Sequence, residues 1–346
     1  MKRTEISTLG EFGLIKVLTE KTKHFHPQTI RGIGDDASVW DIGEKYLVCS
    51  TDLLVEGIHF DLTYMPLKHL GYKAIAVNIS DIAAMNARPT QVLVSLAVSN
   101  RFSVEALQEI YEGIHTACQN YKVDLVGGDT TASRSGLFIS VVALGEVEKE
   151  KITYRNTARK GDIICVTGDL GGAYMGLQVL EREKQVFLAN PEMQPQLEGR
   201  DYVVRRQLRP EARTDIVYEF TDLGLVPTAM IDISDGLASE VLHLCKQSGL
   251  GAMIYEDKLP IAQETYDTAI NDFNISPITA ALNGGEDYEL LFSIRQEDYE
   301  KIKLHPEIST IGYFTEPEKD VQLVLRSGSL VKIQAQGWQH FQEKKQ

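Results

Sequence analysis

Six short motifs in this chain place carboxylates beside glycine or other small residues at the ends of apolar runs. They are Gly34-Asp35-Asp36-Ala37, Ser50-Thr51-Asp52, Asn78-Ile79-Ser80-Asp81, Gly127-Gly128-Asp129-Thr130-Thr131, Asp232-Ile233-Ser234-Asp235-Gly236 and Gly284-Gly285-Glu286-Asp287-Tyr288. That composition suits a hard divalent cation. Magnesium takes oxygen ligands, keeps several waters and is usually held by one or two carboxylates together with substrate phosphates. Carboxylates gathered without a cation repel and raise one another's pKa. Any one motif alone also reads as a turn or a helix cap; their joint occurrence is what points to metal.

Asp81 is the sharpest case. Leu70, Ala74, Val77, Asp81 and Ala84 follow helical spacing, so Asp81 interrupts a stripe that otherwise reads as buried, with Asn78 on a nearby face. A lone carboxylate there is costly unless it is paired or binds metal. The nearest basic residue on that stretch, Lys73, lies two helical turns away. Asp232 and Asp235 fall at a strand-to-helix junction, where free N–H groups attract anions. A plain N-cap would explain Asp235 without explaining Asp232. Gly168-Asp169-Leu170-Gly171-Gly172 follows a strand and opens a helix, which permits a phosphate cradle, although a tight turn is the commoner reading.

Other chemistries lack their signatures. No Walker A sequence, protein-kinase catalytic loop, EF-hand spacing or Gly-x-Ser-x-Gly elbow is present. His59 could meet a phosphate or a substrate ring, although a histidine at an apolar strand edge is more often structural. The four cysteines, Cys49, Cys118, Cys165 and Cys245, have neither zinc nor disulfide spacing and read as buried packing residues. The net charge of −14 argues against general attraction to nucleic acid or membrane lipid. An anionic nucleotide would need cations between itself and the protein.

These residues need a scaffold. The chain has 346 residues, 43% of them hydrophobic, which favours two folded domains. Residues 46–50, 91–98 and 137–144 read as core strands, and Ser103 can cap a helix with an apolar face from Val104 to Tyr121. After a polar, basic segment at 149–162, a new strand at 162–167 precedes a helix at 173–183. Strands at 229–233 and 288–294 and a helix from Asp235 to Ser248, stopped by Gly249, complete the second half. The expected fold is mixed α/β in two domains, 1–150 and 151–346. The stretch 181–207, punctuated by Pro191 and Pro195, reads as a helical excursion or surface loop. The N-terminus has no signal-peptide pattern and no segment approaches the length of a membrane span, so a cytoplasmic protein is expected.

The ordered motifs resemble the thiamine-monophosphate kinase family, within the superfamily that includes aminoimidazole ribonucleotide synthetase, selenophosphate synthetase and the hydrogenase-maturation dehydratase. The resemblance runs from Glu11-Phe12 through the six carboxylate motifs to Gly337-Trp338-Gln339-His340-Phe341. It implies a dimerising N-terminal α/β domain, a C-terminal α/β domain, and ATP with several magnesium ions in the cleft between them. It further implies a homodimer acting on thiamine monophosphate. Carried over by position, it implies Asp36, Ser50, Thr51, Asp52, Asp81, Asp129, Asp232 and Asp235 as metal ligands. Tyr111, Gly128, Asp129, Arg155 and Ser234 are implied as nucleotide contacts, and His59, Glu286 and Trp338 as acceptor contacts. The implied reaction is in-line attack by the acceptor phosphate on the γ-phosphorus of ATP. Asn86, where the family tends to have glycine, and the stretch 181–207 depart from the pattern. Two alternatives stand beside this one: a synthetase of the same superfamily that activates an amide or carbonyl oxygen, and a non-catalytic cation- or nucleotide-binding protein.

Overall fold

The structure, a computed structural model, describes residues 5–336; Trp338 lies outside them. Six strands build the first half: β1 (Thr29–Arg31), β2 (Ser38–Asp41), β3 (Lys45–Val55), β4 (Arg88–Val98), β5 (Asp124–Ala132) and β6 (Phe138–Glu148). Their order in the sheet is β1-β2-β3-β6-β4-β5, antiparallel except where β5 runs parallel to β4. The second half has β7 (Ile163–Thr167), β8 (Ala229–Asp232), β9 (Gly251–Tyr255), β10 (Leu290–Ile294), β11 (Ile308–Thr315), β12 (Val321–Val324) and β13 (Leu330–Lys332). These form a seven-stranded sheet in the order β13-β12-β9-β11-β7-β10-β8. The main helices are α1 (Gly10–Thr19), α2 (Leu67–Ala84), α3 (Val104–Tyr121), α4 (Gly172–Ala189), α5 (Asp201–Leu208), α6 (Thr214–Asp222) and α7 (Leu237–Ser248). Among the described residues no helix is long and apolar enough to cross a membrane.

Burial follows the strand period of two. Along β7, Ile164 and Val166 join one apolar cluster while Cys165 joins another, so both faces of the second sheet are covered. On the first sheet, α2 and α3 pack over one face. Their backbones cross at reciprocal glycines: a Cβ on Gly71 would stand 1.9 Å from the Ile110 carbonyl oxygen, and one on Gly113 1.9 Å from that of Lys68. Only glycine permits so close a crossing. Helix α2 is buried on every face from residue 70 to residue 80, rather than along one stripe. Its last turn, through Ala83 and Ala84, packs into a cluster of the second half. A helix enclosed in this way is largely apolar on every face, which is why its few polar residues, Lys73, Asn78, Ser80 and Asp81, stand out in it.

Two elements differ from the sequence reading. β3 does not end at Ser50 but continues to Val55, carrying Thr51 and Asp52 inside the strand. The stretch 181–207 is not all surface: α5 turns Val203 and Gln207 inward. The cysteines are free, three of them buried and Cys49 half-buried.

Candidate active site

The acidic motifs arrive from three directions. Asp36 precedes β2, Asp81 rides the last turn of α2, and Asp232 ends β8 in the second sheet. One carboxylate oxygen from each lies within 4.8 Å of the others. The residue types are oxygen donors and two of the three residues are buried, which fits a hard divalent cation.

Neighbouring groups fix these oxygens. Ser50, whose side chain leaves β3 toward α2, donates its hydroxyl to Asp81, and Ser80 donates to Asp232 at 2.6 Å. The Asn78 side-chain oxygen accepts the Asp52 backbone N–H at 2.9 Å, anchoring β3 to α2. Arg155, on the segment joining the two sheets, donates to Asp36 through Nε at 2.8 Å and through a second guanidinium nitrogen. Asp35 is held by Arg31 at 2.8 Å.

The electrostatics record the crowding. Burial, then the charges of Asp52, Asp232 and Asp36, pushes the Asp81 carboxyl well above its ordinary range. Burial and Asp36 push Asp232 up to about 7 and Asp35 up to about 6. Asp52, open to solvent at its outer side, moves in the same direction through the protein packed around it and the Glu11 carboxylate of α1. Among the described residues Asp81 has no ion-pair partner, so its charge is compensated only by a hydroxyl. Such a group suits a bound cation far better than a salt bridge.

The remaining residues from the sequence reading separate into those that reach this cluster and those that do not. Thr51 points to the opposite face of β3 from Ser50 and Asp52, and its hydroxyl donates to the Val141 carbonyl at 2.9 Å. The cluster is therefore not offered that hydroxyl. Asp129 lies exposed on β5, an edge strand, and Gly128 beside it lets β5 press against the Val94 carbonyl. Tyr111 sits on α3 with its ring 6.0 Å from that of His115. Asp235 does not cap α7. Gly236 occupies that position, and the Asp235 backbone N–H donates to the buried Glu240 at 3.1 Å. The Ser234 carbonyl accepts the Glu286 N–H at 2.7 Å, tying the two second-half motifs together. Arg155, implied as a nucleotide contact, is engaged by Asp36.

His59 accepts the Val55 N–H at Nδ1 (2.9 Å), which leaves the proton of a neutral ring on Nε2. Glu286 and Tyr288 both adopt left-handed backbone, with φ of 67° and 52°. Strain of this kind in residues other than glycine gathers at functional sites. Sequence reasoning gave no role to Lys73 or Gln207, which both contact Glu286, or to Ser80, although it lies within one of the motifs. The only sequence signal for Lys73 was a basic residue inside an apolar helix.

The glycine turn 168–172 closes on itself. The N–H groups of Gly171 and Ala173 at the start of α4 donate to the Asp287 carboxylate at 2.6 and 3.2 Å, so the helix's anion seat is filled from within. Burial pushes this carboxyl up to about 7 against the pull of Arg206 and the two N–H groups. Asp287→Ala should cost about 1–2 kcal/mol, the ordinary loss for a helix cap, measurable by chemical denaturation. An unchanged unfolding midpoint would mean that water replaces the carboxylate without penalty.

The first half matches the family model described as AIR synthase related protein, N-terminal domain, over residues 34–147. The fold of the first half, with Asp36 and Asp81 contributing to the acidic cluster, agrees with that family model, which spans about a third of the chain. The chain is 35% identical to the thiamine-monophosphate kinase of Bacillus subtilis (strain 168), covering 96% of this chain and 100% of that one. It is equally 35% identical to that of Aquifex aeolicus (strain VF5), over 97% and 99% of the two chains. The solved structure "AaThiL complexed with AMPPCP and TMP" matches with a TM-score of 0.82 at 33% identity, covering 99% of this chain and 100% of that one. The chain belongs to the thiamine-monophosphate kinase family.

Proposed function

We propose that this protein transfers the γ-phosphoryl group of ATP to thiamine monophosphate, giving thiamine diphosphate and ADP, with magnesium held by its acidic cleft. Family membership supports the reaction. The convergence of Asp36, Asp81 and Asp232 from both halves of the chain is the observation that carries the site. When bound there, magnesium would neutralise phosphate charge and align the attacking and leaving oxygens.

The chain's own residues do the rest. Ser50 and Ser80 orient Asp81 and Asp232, and Asp52 and Asp235, which the resemblance implies as ligands, would add to them. Asp129, which the resemblance also implies, would serve from β5. Arg155, which the resemblance implies as a nucleotide contact, is held against Asp36 and would reach a phosphate only by sharing that guanidinium. His59, which the resemblance implies as an acceptor contact, would meet the acceptor phosphate, and Glu286 offers a carboxylate suited to the acceptor's cationic heterocycle. No general base is needed, because the acceptor phosphate has a second pKa of about 6 and is ionised at neutral pH.

Two measurements test this reading. Purified protein with ATP and magnesium should release ADP only when thiamine monophosphate is added; no release from folded protein, or release without the acceptor, overturns it. The first half should also mediate a homodimer, a reading supported by exposed Leu53 on β3 and Val126 on β5. Sedimentation should give twice the chain mass, and a concentration-independent monomer would exclude the dimer.

A further inference from the structure

We infer that Lys73 is a positioning residue for Glu286, acting through it to set the acceptor site. The inference rests on the acceptor reading given above. Lys73 is 1% exposed, deep in α2, two turns before Asp81. Its ammonium lies 2.8 Å from one Glu286 oxygen and 3.3 Å from the Gln207 carbonyl of α5. The Gln207 side-chain amide donates to the other Glu286 oxygen. Both carboxylate oxygens therefore meet fixed donors, one from each half of the chain.

That arrangement has a consequence for geometry. Each carboxylate oxygen can accept more than one hydrogen bond, so Glu286 keeps acceptor capacity after binding Lys73 and Gln207, but in one orientation. Its backbone is pinned as well, in left-handed conformation and hydrogen-bonded to Ser234. A buried ammonium is costly unless it is paired, and here the pair spans the two halves. Helix α2 thus fixes Asp81 at one end and, through Lys73, the acceptor carboxylate two turns earlier. The spacing between metal and heterocycle is set by one rigid element, and misplacement of about 1 Å in such a spacing can cost a hundredfold.

The test is a set of variants read by steady-state kinetics: Lys73→Met, Glu286→Gln, the double variant, and Gln207→Leu in case Lys73→Met does not fold. Lys73→Met should raise KM for thiamine monophosphate about tenfold while KM for ATP stays within about twofold. Lys73→Arg should recover part of the loss. The double variant should be no worse for the acceptor than Glu286→Gln alone, since Lys73 acts through that carboxylate. Gln207→Leu should give the same split, more weakly. Multiplying effects in the double variant, or equal rises in both KM values, overturn the inference. Failure of the wild-type protein to turn over thiamine monophosphate removes the functional reading as a whole. Normal wild-type turnover with an acceptor KM unmoved by Lys73→Met and Gln207→Leu removes the role of Lys73 alone.

Discussion

Asp81→Asn should lower turnover about a hundredfold to a thousandfold while raising the melting temperature in metal-free buffer. The substitution keeps the shape of the side chain and leaves an oxygen to accept the Ser50 hydroxyl. What it removes is one of three negative charges whose oxygens lie within 4.8 Å of one another. Without a cation that charge is a liability, as the upward push on the Asp81 carboxyl records, so its removal relieves repulsion. On the proposed reading the same charge would help hold magnesium against the substrate phosphates, and loss of one preorganised electrostatic group costs about this much in rate. Activity and melting curves on the same preparation separate the two effects. A variant that melts higher yet keeps full activity at ordinary magnesium would show that Asp81 is not a ligand.

Removing divalent cations should abolish ADP release and expose a pH dependence of stability that magnesium suppresses. The sign follows from linkage. A carboxyl whose folded pKa is raised stabilises the fold below its ordinary range, and that contribution is lost as pH rises through the folded value. Asp232, at about 7, and Asp81, pushed well above its ordinary range, therefore predict stability that falls in chelator from about pH 4 up to about pH 7. His243, buried on α7 and pushed down to about 4, acts in the opposite sense: its contribution is lost as pH falls below the ordinary histidine value. Between about pH 4 and 6.5 the histidine offsets part of the carboxyl effect, so the fall is steepest from about pH 6.5 to 7. Melting temperatures at three or four pH values, with chelator and with magnesium, provide the check. A flat profile in chelator would mean that the carboxylates are compensated by something other than metal.

Much of this was legible from residue order. The Ser103 cap is made, its hydroxyl accepting the Ala106 N–H at 3.2 Å, and Gly249 ends α7 in left-handed conformation. Such signals are local, so sequence carries them. The joining of Asp36, Asp81 and Asp232 was suggested by shared chemistry, but the distances that make it a cluster depend on two sheets packing about α2. Thr51 shows where positional reading stops short. Two neighbours on one strand share a motif while their side chains leave opposite faces, and only the full extent of β3 reveals which face is which. Lys73 and Gln207 were hidden for a related reason. A buried ammonium is intelligible only beside its partner, and Glu286 is more than 200 residues further along the chain. Asp235 looked like a cap because aspartate before glycine at a helix start usually is one; the backbone instead places Gly236 there, with φ of 114°.

The filled seat at the head of α4 bears on how this enzyme could be inhibited. Glycine turns opening a helix invite small anionic fragments, and this one would draw attention in any search for phosphate mimics. A competitor there would have to evict Asp287, a side chain 1% exposed and doubly bonded to the helix, with the Arg206 guanidinium 3.6 Å away. Anionic chemistry is better directed at the cluster of Asp36, Asp81 and Asp232, where on the proposed reading a mimic would share bound magnesium. The turn offers selectivity of another kind: a ligand that prises Asp287 loose would also disturb the adjoining Glu286, and with it the acceptor contact proposed above, without resembling either substrate.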